Sequence, residues 1–93
     1  DTLGITGPDY KTEKDTLMMS LLGFSKKDID LEIKGQLLTI SADSKENSFA
    51  KAFSKQFRFP EEIDMDSIAA TMKDGILTLS FKHSNNTKKI NIK

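Results

Sequence analysis

The chain has 93 residues, 37% hydrophobic and 30% charged, with only two prolines; this fits one small folded domain better than a disordered tail. It has no cysteine, so disulfide staples, zinc ribbons, thiol catalysis and iron–sulfur clusters are excluded. Fourteen basic residues balance fourteen acidic ones, which removes the electrostatic footprint of a nucleic-acid or anionic-membrane binder and gives little repulsion against self-association.

In chain order the dominant period is two. Leu17, Met19 and Leu21 share a parity, with Met18 on the other face. The apolar run Leu17 to Phe24 is broken by Ser20 and Gly23 and is too short to span a bilayer. Ser25 and Asp28 have capping-box spacing, enough for one helical turn after Gly23-Phe24. Ile29, Leu31 and Ile33 alternate with Asp30, Glu32 and Lys34, which predicts a strand with one buried face. Lys34-Gly35-Gln36 reads as a tight hairpin turn, and Leu38 and Ile40 continue beyond it.

Asp43 to Ser48 reads as a loop. The odd positions from Phe49 to Phe59 then carry Phe49, Phe53, Phe57 and Phe59 with Lys51 and Lys55, predicting one long strand that Pro60 ends. The acidic segment 61–66 is expected to be a turn or a short 3₁₀ piece. Ile68, Ala70 and Met72 alternate again, Asp74-Gly75 is a strong two-residue hairpin turn, and Leu77, Leu79 and Phe81 run back. His83 to Lys89 is polar, and Ile90-Asn91-Ile92 is an apolar island just before the end. About seven short strands and no long helical pattern predict an all-β antiparallel sandwich or barrel.

Signals for catalysis are nearly absent. His83, the one histidine, lies beyond a predicted strand end with no nucleophile elbow to serve, and reads as a solvated loop residue. The acids at 61–66 lack the glycine and spacing of a calcium loop, and the five glycines form no phosphate cradle, so neither metal nor cofactor is expected. Lys55-Gln-Phe57-Arg58-Phe59 lacks the interleaved glycine and basic surround of an RNA-stacking strand, so its aromatics read as core. Asn85-Asn86-Thr87 matches a glycosylation sequon by chance. What remains is interaction chemistry. Side chains two apart in an extended segment point the same way, so Ile90 and Ile92 can enter adjacent pockets. Each buried isoleucine contributes roughly 1.5–3 kcal/mol, which makes a weak, reversible contact. The bland alternative is a last strand of the domain's own sheet.

These pieces, taken in order, resemble the α-crystallin domain of small heat-shock proteins. The residues that carry the resemblance are Pro8-Asp9-Tyr10; Gly23-Phe24 with Lys27, Asp28 and Ile29; and Leu38 to Ser41. They continue with Phe53, Lys55, Phe57, Phe59 and Pro60; with Ala70 followed by Asp74, Gly75, Ile76 and Leu77 as the signature turn; and with Ile90 and Ile92. The resemblance covers Pro8 to Ile92. It implies an immunoglobulin-like antiparallel β-sandwich of about 7–8 strands that dimerises, and then assembles by docking a tail into a groove on another dimer. Mapped here, Ile90 and Ile92 are the docking pair, and Leu31, Ile33, Ile68 and Ala70 line the groove. The function implied is that of an ATP-independent holdase for partly unfolded clients, which needs exposed apolar surface rather than catalysis.

The expected layout is a short N-terminal remnant at 1–8, the domain at 9–82 and a C-terminal extension at 83–93, from a chaperone whose N-terminal arm was cut away or never existed. Segment 43–48 is too short to hold an exchanged strand, so dimerisation is expected by edge pairing around Phe49, Lys51, Phe53 and Lys55. Lys55 stands where the family often has Arg and cannot make its planar bidentate contact. Leu22 replaces a frequent Pro. The expected partners are a second copy of the chain, as homodimer or larger oligomer, and partly unfolded clients, with no nucleic acid and no membrane; the location expected is cytoplasmic. Two alternatives remain: a non-chaperone β-sandwich adaptor docking on a folded partner, and an unrelated hydrolase or nucleic-acid-binding barrel.

Overall fold

The computed structural model describes residues 8–84 and 92. Its elements are β1 (Tyr10–Thr12), β2 (Thr16–Ser20), a 3₁₀ turn (Lys26–Asp28), β3 (Ile29–Lys34), β4 (Leu37–Ala42), β5 (Phe53–Arg58), β6 (Ile63–Lys73) and β7 (Ile76–His83). The strands form two antiparallel sheets, one in the order β1-β2-β7-β6 and the other β3-β4-β5, so the chain is an all-β sandwich. Between the sheets lie Leu17, Met19 and Leu21 from β2 and its extension, Leu38 and Ile40 from β4, and Leu77 and Leu79 from β7. The period-two parity of the sequence thus marks the core in the three central segments, where one strand face meets the opposing sheet.

The turns follow local chemistry. Asp74 and Gly75 both have positive φ, 52° and 79°, as a two-residue hairpin of the primed type requires. Ser25 opens the 3₁₀ turn, its backbone N–H and hydroxyl both donating to the Asp28 carboxylate at 2.9 and 3.0 Å. Gln36, in the β3–β4 turn, donates through its side chain to Pro60 O at 2.7 Å and Ile63 O at 3.2 Å, tying one sheet to the start of β6.

Four expectations are corrected by pairing. The strand expected from Phe49 to Phe59 begins only at Phe53, which faces Ala42, the last residue of β4; residues 49–52 have no β4 partner and continue the loop that starts at Asp43. Phe49 is 94% exposed and is no core residue, whereas Phe53, Phe57 and Phe59 pack against the core. The acidic segment is a turn only at Glu61 and Glu62; from Ile63 it is strand, because His83 and Lys82 of β7 supply partners for Ile63 and Asp64. The same pairing puts His83 inside β7 rather than beyond it.

The fourth correction bears on function. The register sets Leu31 and Ile33 opposite the buried Ile40 and Leu38, hence on the inner face, yet they remain 36% and 45% exposed. As an edge strand, β3 is covered only as far as the opposing sheet reaches. The face expected to be buried is an open one.

Candidate interaction surfaces

The two sides of the sandwich differ. On one, β1 lies over β5 and is closed by aromatic contact, Tyr10 against Phe57. On the other, β3 and β6 border an apolar hollow of about 330 Å³, walled by Ile29 and Leu31 on one strand and Ala70 and Met72 on the other, with Leu77 beneath and Lys26 at one end. Ala70 sits at an inward-facing register position, opposite the buried Leu79, and its single methyl is too small to fill the space beside Leu31. An interruption in the β6–β7 register between Asp64 and Ala69 precedes it. There Ser67 Oγ accepts from Lys82 N at 2.8 Å and donates to Asp64 O at 2.6 Å, so the bulge leaves that amide satisfied.

The sequence-derived groove residues are thus brought together in part. Leu31 and Ala70 share the hollow; Ile33 and Ile68 lie on the same two strands outside its lining. Ile29, Met72 and Leu77 line it without having been singled out, although Ile29 and Met72 share the parity of Leu31 and Ala70. Of the docking pair, Ile90 lies outside the described residues, and Ile92 is 97% exposed.

The four residues expected at a dimer contact, Phe49, Lys51, Phe53 and Lys55, border one hollow of about 640 Å³ beside the end of β2. Its other wall holds Leu22 and Phe24, and Phe24 meets Phe53 edge to face at 5.9 Å. β5 is an edge strand, so the backbone edge beside these residues pairs with no other strand among the described residues. The signature turn Asp74-Gly75 adjoins both hollows: Gly75 O accepts from Leu21 N at 2.7 Å, next to Leu22, and Ile76 and the groove residue Leu77 start β7.

His83 Nε2 lies 3.1 Å from Lys14 O and 3.4 Å from Asp15 Oδ1, contacts that hold the β1–β2 turn against the end of β7. No group of three metal-ligating side chains occurs among the described residues. Among them, too, no helix is long and apolar enough to cross a membrane.

Two packed antiparallel sheets in this order define an α-crystallin-type sandwich, and solved structures share it. A small heat-shock protein from Xylella fastidiosa superposes with a TM-score of 0.72 at 22% identity, covering 97% of this chain and 95% of that one. The rat alpha crystallin domain gives 0.64 at 15% identity, covering 99% and 98%. The model described as Hsp20/alpha crystallin family matches residues 9–93, and the chain belongs to this family of small heat-shock proteins. In sequence it is 32% identical over 95 residues to the 22.7 kDa class IV heat shock protein of Pisum sativum, covering 85% of this chain and 48% of that protein. It is also 32% identical over 92 residues to the small heat shock protein C2 of Rickettsia felis, covering 84% and 60%. The chain therefore spans less than two thirds of the length of these relatives.

Proposed function

We propose that this chain is the holdase domain of a small heat-shock protein: it binds partly unfolded clients without ATP, pairs with a second copy, and assembles further by docking its tail. The observation that carries the reading is the open apolar groove between Leu31 and Ala70 in a chain that also ends in a polar spacer and an Ile-x-Ile pair. In an extended segment Ile90 and Ile92 project to one side about 6.6–6.8 Å apart, and each gains about 1.5–3 kcal/mol on full burial. The contact is strong enough to assemble subunits and weak enough to exchange. Residues 83–89 would stretch about 23–25 Å, enough to reach a neighbouring copy.

Pairing through β5, with Phe49, Lys51, Phe53 and Lys55 beside its outer edge, is supported by the position of β5 at the end of its sheet. Client capture follows from the same physics: apolar surface available on the chaperone competes with client–client contact and lowers the concentration of aggregating species.

The test compares the intact chain with Ile90→Ala/Ile92→Ala by sedimentation, and measures suppression of heat-induced aggregation of a labile client by each. A smaller assembly for the double variant, with protection by the intact chain, is expected. An unchanged assembly size defeats tail docking, and failure of both forms to protect the client defeats the holdase reading in favour of an adaptor role.

A further inference from the structure

We propose that the hollow beside the end of β2 is the seat of this chain's own first residues, with Leu3 and Ile5 covering Leu22 and Phe49 of the same molecule. Leu22 and Phe49 face this hollow at 72% and 94% exposure, two large apolar side chains left together in water. The surface is preformed. Asn47 Nδ2 donates to Gly23 O at 3.2 Å, Asn47 Oδ1 accepts from Phe49 N at 3.0 Å, and Ala50 N donates to Asn47 O at 3.1 Å. The loop that presents Phe49 is therefore pinned to the segment that presents Leu22.

The direction of the chain singles out the occupant. Ser20 N donates to Asp9 O at 2.9 Å, so the β1–β2 pairing continues past Tyr10 toward Leu22, and Pro8 and Asp9 are themselves walls of the hollow. Ile5 and Leu3 stand three and five residues before Pro8, within about 10 and 17 Å of it in an extended chain, so both reach the hollow. The chemistry agrees: residues 1–7 hold these two large aliphatic side chains and one charge, Asp1, while Lys51 and Lys55 line the hollow. Tethering favours this occupant over a second copy, because a short linker supplies an effective concentration in the millimolar range.

This inference rests on the reading above in one respect: the hollow includes the side chains assigned to the dimer contact. The seated segment and a second copy would then exclude one another there, and the first residues would restrain pairing.

The test uses the absence of tryptophan from the chain. Phe49→Trp is made in the full chain with and without Leu3→Ser/Ile5→Ser, and iodide quenching of the emission is measured. With Leu3 and Ile5 intact, the expected quenching is at least about two-fold weaker and the emission bluer, unchanged over about a hundred-fold dilution because the contact is intramolecular. Equal quenching in the two proteins overturns the proposal; so does protection that fades on dilution, which marks a second copy as the occupant. Ile5→Trp, read against Leu22→Ser, repeats the measurement from the other side, with loss of protection in the double variant expected and no change overturning it. Sedimentation of the same samples reports pairing separately, so a chain that never dimerises defeats the dimer reading and leaves the quenching result standing.

Discussion

Tyr10 and Phe57 meet edge to face with ring centroids 4.9 Å apart and planes at 79°, joining the first strand of one sheet to the edge strand of the other. Lys55 Nζ lies 5.1 Å from the Tyr10 ring centroid and 5.6 Å from that of Phe57. This triad closes one side of the sandwich, while the side between β3 and β6 keeps an open groove. The difference matters for function, since a groove can take a segment only where the sheets are not sealed to each other. Tyr10→Ala is expected to cost about 1 kcal/mol and Phe57→Ala about 2–3 kcal/mol in chemical denaturation, given their partial burial. The double variant should show a coupling of about 0.5–1.5 kcal/mol, the usual range for an aromatic pair; strictly additive losses would mean the rings stabilise the fold independently.

The open face of β3, with Leu31 in the groove and Ile33 beside it, separates assembly from stability. Leu31 and Ile33 are already partly in water, so Leu31→Ser/Ile33→Ser should lower stability by no more than about 1 kcal/mol. The same pair of substitutions should shrink the assembly as much as Ile90→Ala/Ile92→Ala does. Combining the two sets should then produce no further decrease by sedimentation, because they remove two halves of one contact.

The Asp74-Gly75 turn responds to φ more than to crowding. Gly75 has φ +79°, and an added Cβ would come within 2.5 Å of Leu22 Cδ2, but Leu22 is largely exposed and its side-chain tip can move aside. Gly75→Ala is expected to cost about 1–2 kcal/mol, and Gly75→Asn less, since asparagine tolerates the left-handed region. Gly35→Ala, with φ +61° and open space around it, should cost about 1 kcal/mol from backbone strain alone. Denaturation of Gly75→Ala with and without Leu22→Ala isolates the contribution of crowding, expected to be only a few tenths of a kcal/mol.

Acid stability carries a marker at the 3₁₀ turn. The Ser25 backbone N–H, above all, holds the Asp28 carboxyl below its ordinary value of 3.8, with the Ser25 hydroxyl and Lys27 assisting against a desolvation that raises it. A depressed carboxyl stabilises the fold above the unfolded value, and the effect disappears as pH falls through the lower folded value. Thermal unfolding of the intact chain should therefore lose more stability than that of Asp28→Asn as pH falls below about 4. Parallel pH profiles for the two would show that the capping bond contributes nothing.

Local features were legible in the residues themselves. Positive φ at Gly35 and Gly75, the single turn opened by Ser25, and the buried parity of Leu17, Met19, Leu38, Ile40, Leu77 and Leu79 need only neighbouring residues and one covering layer. Tyr10 stood in the Pro8-Asp9-Tyr10 motif, but the periodicity did not mark β1 as a strand, because Tyr-Lys-Thr carries no alternation that separates it from a loop. Ordered motifs also pointed to the family, since turn spacing and strand parity together restrict the topology.

By itself, then, the sequence determined the strand parity, the turns and the sandwich class. Only the tertiary structure decided where strands stop and which apolar faces stay open. A strand lasts as long as a neighbour supplies hydrogen-bond partners, so Phe49 left the sheet when β4 ended at Ala42, and Ile63 joined it because β7 runs on to His83. The same alternation buries Ile40 in a central strand and leaves Leu31 at a groove, because exposure depends on what lies across the gap, and across from Leu31 stands the small side chain of Ala70.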